Sequence, residues 1–450
     1  MWAFLNKKNE SSVRRAIFVF ILVQAVAVSL NTQAKAQRNG KKERLIIHEV
    51  NAGEIQQGNE TIAIVGATII DGNGGDPVLN GCVIIKNNRI DQVGSAKSVH
   101  VPNDAEIVDA KGMSLLPGFI DSHFHLDNVK GLPALFLQHG VTSIRDPGAW
   151  IEAYDDERKS GTMIPRLFLC GPHLDMYPPA YPNDAYIVRD SLEAATAVNR
   201  QIDAGATAIK VYFRLSPALI RVICQTAHKR GIPVTAHLEI TEAMEAIDAG
   251  LDGIEHITSF GLSLQSKREG EKYRQQVLAD NDARKQGRYD VWRNLDVSGN
   301  LADRVARFLV KRSTFISPTL GAFEYQPLNG KTDSVKWIAF NNMKAFTGKL
   351  KKAGVRIVLG SHSIIPYAEL GWAYQREMEL FAESGLSNSE IIVAATMENA
   401  RYFRVEDRLG SIEKGKIADL VLIKGNPLED IRATRNIVRV MINGRWVPSR

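Results

Sequence analysis

Cysteine is scarce, with three in 450 residues. Cys82, Cys170 and Cys224 are far apart, and no pair has metal-ligand or redox spacing. That argues against a disulfide scaffold or a cysteine-based zinc module, and apolar neighbours predict three buried free thiols. A glycine-rich phosphate loop after a first strand is also missing, which argues against a dinucleotide-binding sheet. No basic stripe is present, so nucleic acid is not expected as a partner. The net charge of +6 is misleading, because residues 1–36 carry +4 of it and leave the remainder at about +2.

That first segment has its own logic. Lys7, Lys8, Arg14 and Arg15 precede the apolar run AIFVFILVQAVAVSL at 16–30, and AKA follows at 34–36. The run is short for a spanning helix of about 20 residues, and small residues stand where a cleavage site needs them. The reading is a signal peptide cleaved after Ala36, a secreted or periplasmic product, and no stable membrane span after cleavage. An uncleaved anchor is the alternative. No cysteine follows the site, which disfavours lipid attachment.

What the chain does contain is 44% hydrophobic and 24% charged residues, enough apolar material for a large core. Residues 43–112 read as short alternating strands with Gly, Asn and Asp turns, and the same texture returns at 408–450. One small β-domain built from both ends is the simplest organisation. Between them, at 113–407, a helical stretch ends on glycine and an apolar strand follows within a few residues. Gly140, Gly205, Gly231, Gly250 and Gly354 mark five such junctions. With SLLPGFIDSHFHL (114–126) and STFISPTL (313–320) as further strands, the count approaches eight. An α/β fold with a (β/α)₈ barrel is predicted. Two further segments stand out. The charged stretch 263–305 reads as a helical insertion serving as a lid at the barrel mouth. The stretch 387–403 opens with Ser387 and Glu390 in capping-box spacing and predicts one helix.

Candidate ligands cluster at strand ends. His123 and His125 share one face of a strand by their spacing of two, and His237 and His256 end two later strands. Lys210 is a charge in an apolar strand, costly to bury without a partner. A metal site and a set of satisfied core or rim side chains are both compatible with each residue taken singly. Tyr212 shares the face of Lys210, and His173 follows another strand-like run; both are candidate substrate-binding residues. His139 and His228 read as surface residues at helix ends, and His48 and His100 lie outside the barrel.

Taken together, LLPGFIDSHFHL, GVTSIRDPG, IKVY, the two single-histidine strands and RLGSIEKGKIADLVLIKGNPLEDI (408–431) resemble the metal-dependent amidohydrolase superfamily. Within it they are most similar to the imidazolonepropionase-like and prolidase-like branch. The resemblance covers the chain after residue 36 and implies a β-sandwich domain from both chain ends beside the barrel. It implies two divalent metals, commonly zinc. His123 and His125 would hold the more buried ion, His237 and His256 the second, and a carboxylated Lys210 would bridge them. The implied chemistry is water attack on small C–N substrates such as dipeptides or N-acyl amino acids. A homo-oligomer is compatible with it.

One position departs from the pattern. The family carries Gly-Thr-Asp-Ser on its eighth strand, with the Asp as metal ligand and proton acceptor. Here VLGSHSIIP places His362 at that point, beyond a strand read as ending on Gly360. Three readings follow: a ligand imidazole, a proton shuttle that leaves the buried ion one ligand short, or a catalytically impaired binding protein. His362 is the expected catalytic residue if hydrolysis is retained.

Overall fold

The computed structural model describes residues 46–328 and 331–448; the expected signal peptide lies outside them. Strands β1 (Thr61–Ile69), β2 (Val78–Lys86), β3 (Arg89–Ser95), β4 (Glu106–Asp109) and β5 (Met113–Pro117) come from the N-terminal part. Much later come β16 (Leu420–Lys424), β17 (Ile437–Ile442) and β18 (Arg445–Trp446). All eight join one sheet in the order β18-β17-β16-β5-β1-β2-β3, with β4 beside β1. The two chain ends meet where β16 runs antiparallel to β5, from Leu420 opposite Pro117 to Lys424 opposite Met113. Alternation in these strands puts Ile62, Ile64, Val83, Leu115, Leu420 and Leu422 into one apolar cluster. Arg166 is buried between Glu49 and Asp419, and both carboxylates offset the cost of holding its guanidinium out of water.

The middle of the chain is TIM-barrel-like, with parallel strands and helices between them. One sheet orders β6 (Phe119–Asp121), β7 (Val141–Asp146) and β8 (Arg166–Leu169). The second contains β9 (His173–Asp175), β10 (Ala185–Ile187), β11 (Ile209–Val211), β12 (Val234–His237), β13 (Gly253–Glu255), β14 (Phe315–Ser317) and β15 (Arg356–Ile357). Two backbone hydrogen bonds link the sheets: Thr207 N–H donates to Leu169 O (2.8 Å) and Ser122 N–H to Leu359 O (3.0 Å). The five glycines at the helix–strand junctions all have positive φ, from 73° to 125°, where a Cβ would be strained. The three cysteines are free and buried, as expected.

Several local expectations are corrected. Strand β6 stops at Asp121, so His123 and His125 sit in the irregular segment after it and not on a strand. Strand β15 is only two residues long, although Val358 N–H still pairs with Ile316 O. The stretch 387–403 has the expected capping box but forms two helices, Asn388–Ala395 and Met397–Phe403. The break falls at Thr396 (φ −131°, ψ −87°), whose hydroxyl turns back to Ile392 O. His139 is not a plain surface residue: its Nδ1 donates to Gly371 O and its ring stacks 3.8 Å from Trp372. The charged insertion is helical as predicted, with helices Lys267–Ala279 and Ala283–Trp292 between β13 and β14. Among the described residues no helix is long and apolar enough to cross a membrane.

Candidate active site

Eight side chains singled out by sequence line one cavity of about 440 Å³: His123, His125, His173, Lys210, Tyr212, His237, His256 and His362. They arrive from different strand ends, yet their rings are neighbours. Centroid distances are 4.9 Å for His123–His125, 4.6 Å for His123–His256 and 4.4 Å for His237–His256. His362 belongs to this group: it stacks on His123 at 5.3 Å and meets His125 edge-on at 4.8 Å. Ligand nitrogens of His123, His256 and His362 lie within 4.8 Å of one another.

The local backbone explains why. Asp121 accepts hydrogen bonds from the backbone N–H of both His123 and Ser361 and from the Ser361 hydroxyl. Ser363 Oγ in turn accepts from His125 N–H. The segments 121–125 and 361–363 are thereby stitched together. A side chain at Gly360 would meet Ser317 Oγ at 2.5 Å and His123 Cβ at 2.6 Å, so only glycine lets the two segments approach. His362 (φ 61°) and His256 (φ 65°) both adopt left-handed φ values. At 256 this turn brings the imidazole into the cavity although its neighbour Glu255 also points inward.

The imidazoles are oriented by partners that the sequence reading missed. His123 Nδ1 donates to Glu255 Oε2 at 2.7 Å, and His237 Nε2 donates to Glu239 Oε1 at 3.1 Å. His256 Nδ1 donates to Thr319 Oγ1 at 2.6 Å, while that hydroxyl donates onward to Pro318 O. His125 Nδ1 faces Asp146 Oδ1 at 3.7 Å, and its Nε2 meets His123 Nε2 at 3.0 Å. In His237 and His256 one nitrogen is committed to the protein; in His123 and His125 Nδ1 is so committed, and the two Nε2 atoms face each other. This donor set fits a divalent metal, because ligating histidines present one bare nitrogen and anchor the second.

Electrostatics agree with the geometry. Burial lowers His123 to about 4 against the pull of Glu255, and it lowers His237 and His173 to about 3. His256 and His362 are pushed well below 6.5 by burial and by their neighbouring histidines. All five are neutral at neutral pH, the form that binds a metal. For His125, burial lowers the pKa, but Asp146 outweighs it and the net shift is upward. Burial brings Lys210 down to about 8, which raises the share of neutral amine. The nearest compensating anion is Glu255, itself held low, against its burial, by Lys210 and His123.

Glu255 is therefore a hub: it also accepts from Thr235 and Tyr402 hydroxyls. Replacing it by glutamine puts an amide donor opposite His123 Nδ1–H and frees the imidazole to turn. The Glu255→Gln protein is expected to bind divalent metal about 10–100-fold more weakly, read by competition with a chromophoric chelator. Unchanged affinity would remove Glu255 from the site.

Fold and site define a metal-type hydrolase with its chemistry at the C-terminal ends of parallel strands. The chain belongs to the amidohydrolase family, whose model matches residues 114–447. It is thus an amidohydrolase, an enzyme acting on C–N bonds. It is similar to the ochratoxinase of Aspergillus niger, with 24% identity over 439 residues, 82% of this chain and 83% of that one. An N-acyl-D-aspartate deacylase of Alcaligenes xylosoxydans xylosoxydans is 45% identical, but only over 64 residues, 14% of this chain and 12% of the deacylase. Among solved structures, a putative prolidase from Bifidobacterium longum has a TM-score of 0.67 and 26% identity, covering 87% of this chain and 96% of that one.

Proposed function

We propose that the protein is an exported, metal-dependent hydrolase that cleaves the C–N bond of small substrates such as dipeptides or N-acyl amino acids. One observation carries this reading: four imidazoles, each with one nitrogen held by a carboxylate or hydroxyl, line the cavity that Lys210 also lines. His123 and His125 would hold one divalent ion and His237 and His256 another, with Lys210, carboxylated, between them; zinc suits nitrogen donors of this kind. When bound, such ions supply Lewis acidity and an acidified water. Two backbone hydrogen bonds between the parallel sheets support a closed barrel of eight staves, and the joint sheet from both ends supports the sandwich domain beside it.

The chain's own groups do the rest. Tyr212 Oη, without a hydrogen-bond partner among the described residues, donates to the substrate carbonyl or carboxylate. His173, 4.4 Å from the Tyr212 ring between centroids, packs against it and borders the same space. An imidazole nitrogen of His362 takes the proton from the attacking water and returns it to the leaving amine. The purified protein is expected to contain one to two divalent ions per chain and to hydrolyse members of a dipeptide and N-acyl amino acid panel. Chelation should abolish that turnover, and re-addition of zinc should restore it. A second reading has its own support: among the described residues, the eighth stave brings no carboxylate to the cavity. Retained metal with turnover at background across the panel would establish that impaired, binding-only form.

A further inference from the structure

The cavity lining carries side chains of both charges. On the side of the first two staves are Asp127 and Asp146, joined by Asp184 from the loop before β10. The same lining holds a single guanidinium, from the charged insertion: Arg288, on the helix Ala283–Trp292. Its Nε and Nη2 are both held by Glu239 Oε1, at 3.1 and 2.9 Å. Its Cζ lies over the Phe323 ring, 5.4 Å from the ring centre. Glu239 is steadied in turn by the Tyr273 hydroxyl at 2.5 Å. Arg288 Nη1 has no hydrogen-bond partner among the described residues. Tyr212 Oη, on the lining of the same cavity, has none either.

We propose that Arg288 is the carboxylate anchor of this cavity and restricts its ligands to those bearing a free carboxylate. A guanidinium held along one edge by Glu239 and lying over an aromatic ring has lost much of its rotamer freedom, so a ligand oxygen meets a pre-oriented donor. Tyr212 offers a second donor. The aspartates of the lining repel the same group, so a ligand seats its carboxylate at Arg288 and not beside them. This deepens the hydrolase reading, on which it rests for the occupant: uncharged amides and carbamates are excluded, and acids such as dipeptides or N-acyl amino acids are selected. Residue 288 is therefore a specificity-determining position.

The test uses two ligands without a C–N bond, 3-phenylpropionate and 3-phenylpropan-1-ol, titrated calorimetrically into the whole metal-loaded protein. The acid is expected to bind at least about tenfold more tightly than the alcohol, and Arg288→Gln should bring the two within about twofold. Arg288→Lys keeps a charge for Glu239 but lacks the planar fork, and should narrow the gap at least about threefold. It decides the matter if thermal melting shows that the neutral variant does not fold. Equal binding of acid and alcohol by the parent protein, or an undiminished gap in both variants, overturns the anchor. Turnover of the amide panel is scored separately: its absence with the acid preference intact sinks hydrolysis alone, and turnover without that preference sinks the anchor alone.

Discussion

The His362→Asp protein should hydrolyse the substrates of the parent about 10²-fold faster, or show turnover where the parent has none. A correctly placed general base contributes roughly 10²–10⁴-fold, and a carboxylate can accept a proton while still contacting a cation, which one imidazole nitrogen cannot. The backbone tolerates the change. Residue 362 has φ 61°, a conformation in which Asp is one of the enriched residue types. Its flanks are held independently by Asp121 to Ser361 and by Ser363 to His125. The imidazole has no hydrogen bond to another side chain among the described residues, so its removal strands no side-chain partner. Steady-state rates for both proteins at equal metal loading check this. A drop in the aspartate variant would show that the imidazole has a dedicated role in this chain, and would retire the idea that it is a weakened stand-in.

Substitution of Lys210 should have the largest negative effect. Lys210→Ala is expected to hold at most one divalent ion per chain and to lose about 10³-fold or more in turnover. A Lewis-acid contribution of several kcal/mol corresponds to such a loss at 1.36 kcal/mol per decade. Lys210→Glu, which supplies a permanent but shorter carboxylate, should keep more metal than Lys210→Ala. Metal analysis after exhaustive dialysis and single-substrate kinetics read the two effects separately. Full metal content in Lys210→Ala would mean that the lysine is a buried partner of Glu255 and nothing more.

The two outcomes depend on different parts of the molecule. Lys210 is 2% exposed, and its nearest anion is a carboxylate that also orients His123, so its loss disturbs the site from beneath. His362 stacks on His123 and meets His125 edge-on, without a polar side-chain partner among the described residues. Metal retention should therefore respond strongly to 210 and weakly to 362, whereas the rate responds to both.

Much of this architecture is written locally. A glycine past a helix end must take positive φ, and the strand that follows must be apolar on both faces to lie between helices. Five such junctions were readable one by one. The HxH pair, the lone lysine and the single histidines at strand ends needed only the spacing of residues along each segment. The single helix expected at 387–403 failed because the break at Thr396 answers to packing against Gly410, whose space for a side chain is closed by residues 396, 397 and 400. The strand expected up to Gly360 is likewise shortened by the stitching of 361–363 onto 121–125.

Other features had no local signal at all. Glu255 adjoins a recognised ligand, yet its partner His123 lies 132 positions away. Asp146 and Thr319 look like ordinary turn residues, and Arg288 is one cation among many on a charged helix. The identity of each candidate ligand, and the order in which the staves present them, follow from short-range periodicity and chirality. The state of each ring nitrogen, the direction of the imidazole at 362 and the placing of a guanidinium in a cavity that three aspartates also line follow from contacts between segments far apart in the chain. Those contacts exist only after the core has brought the staves together, which is why no stretch of sequence could announce them.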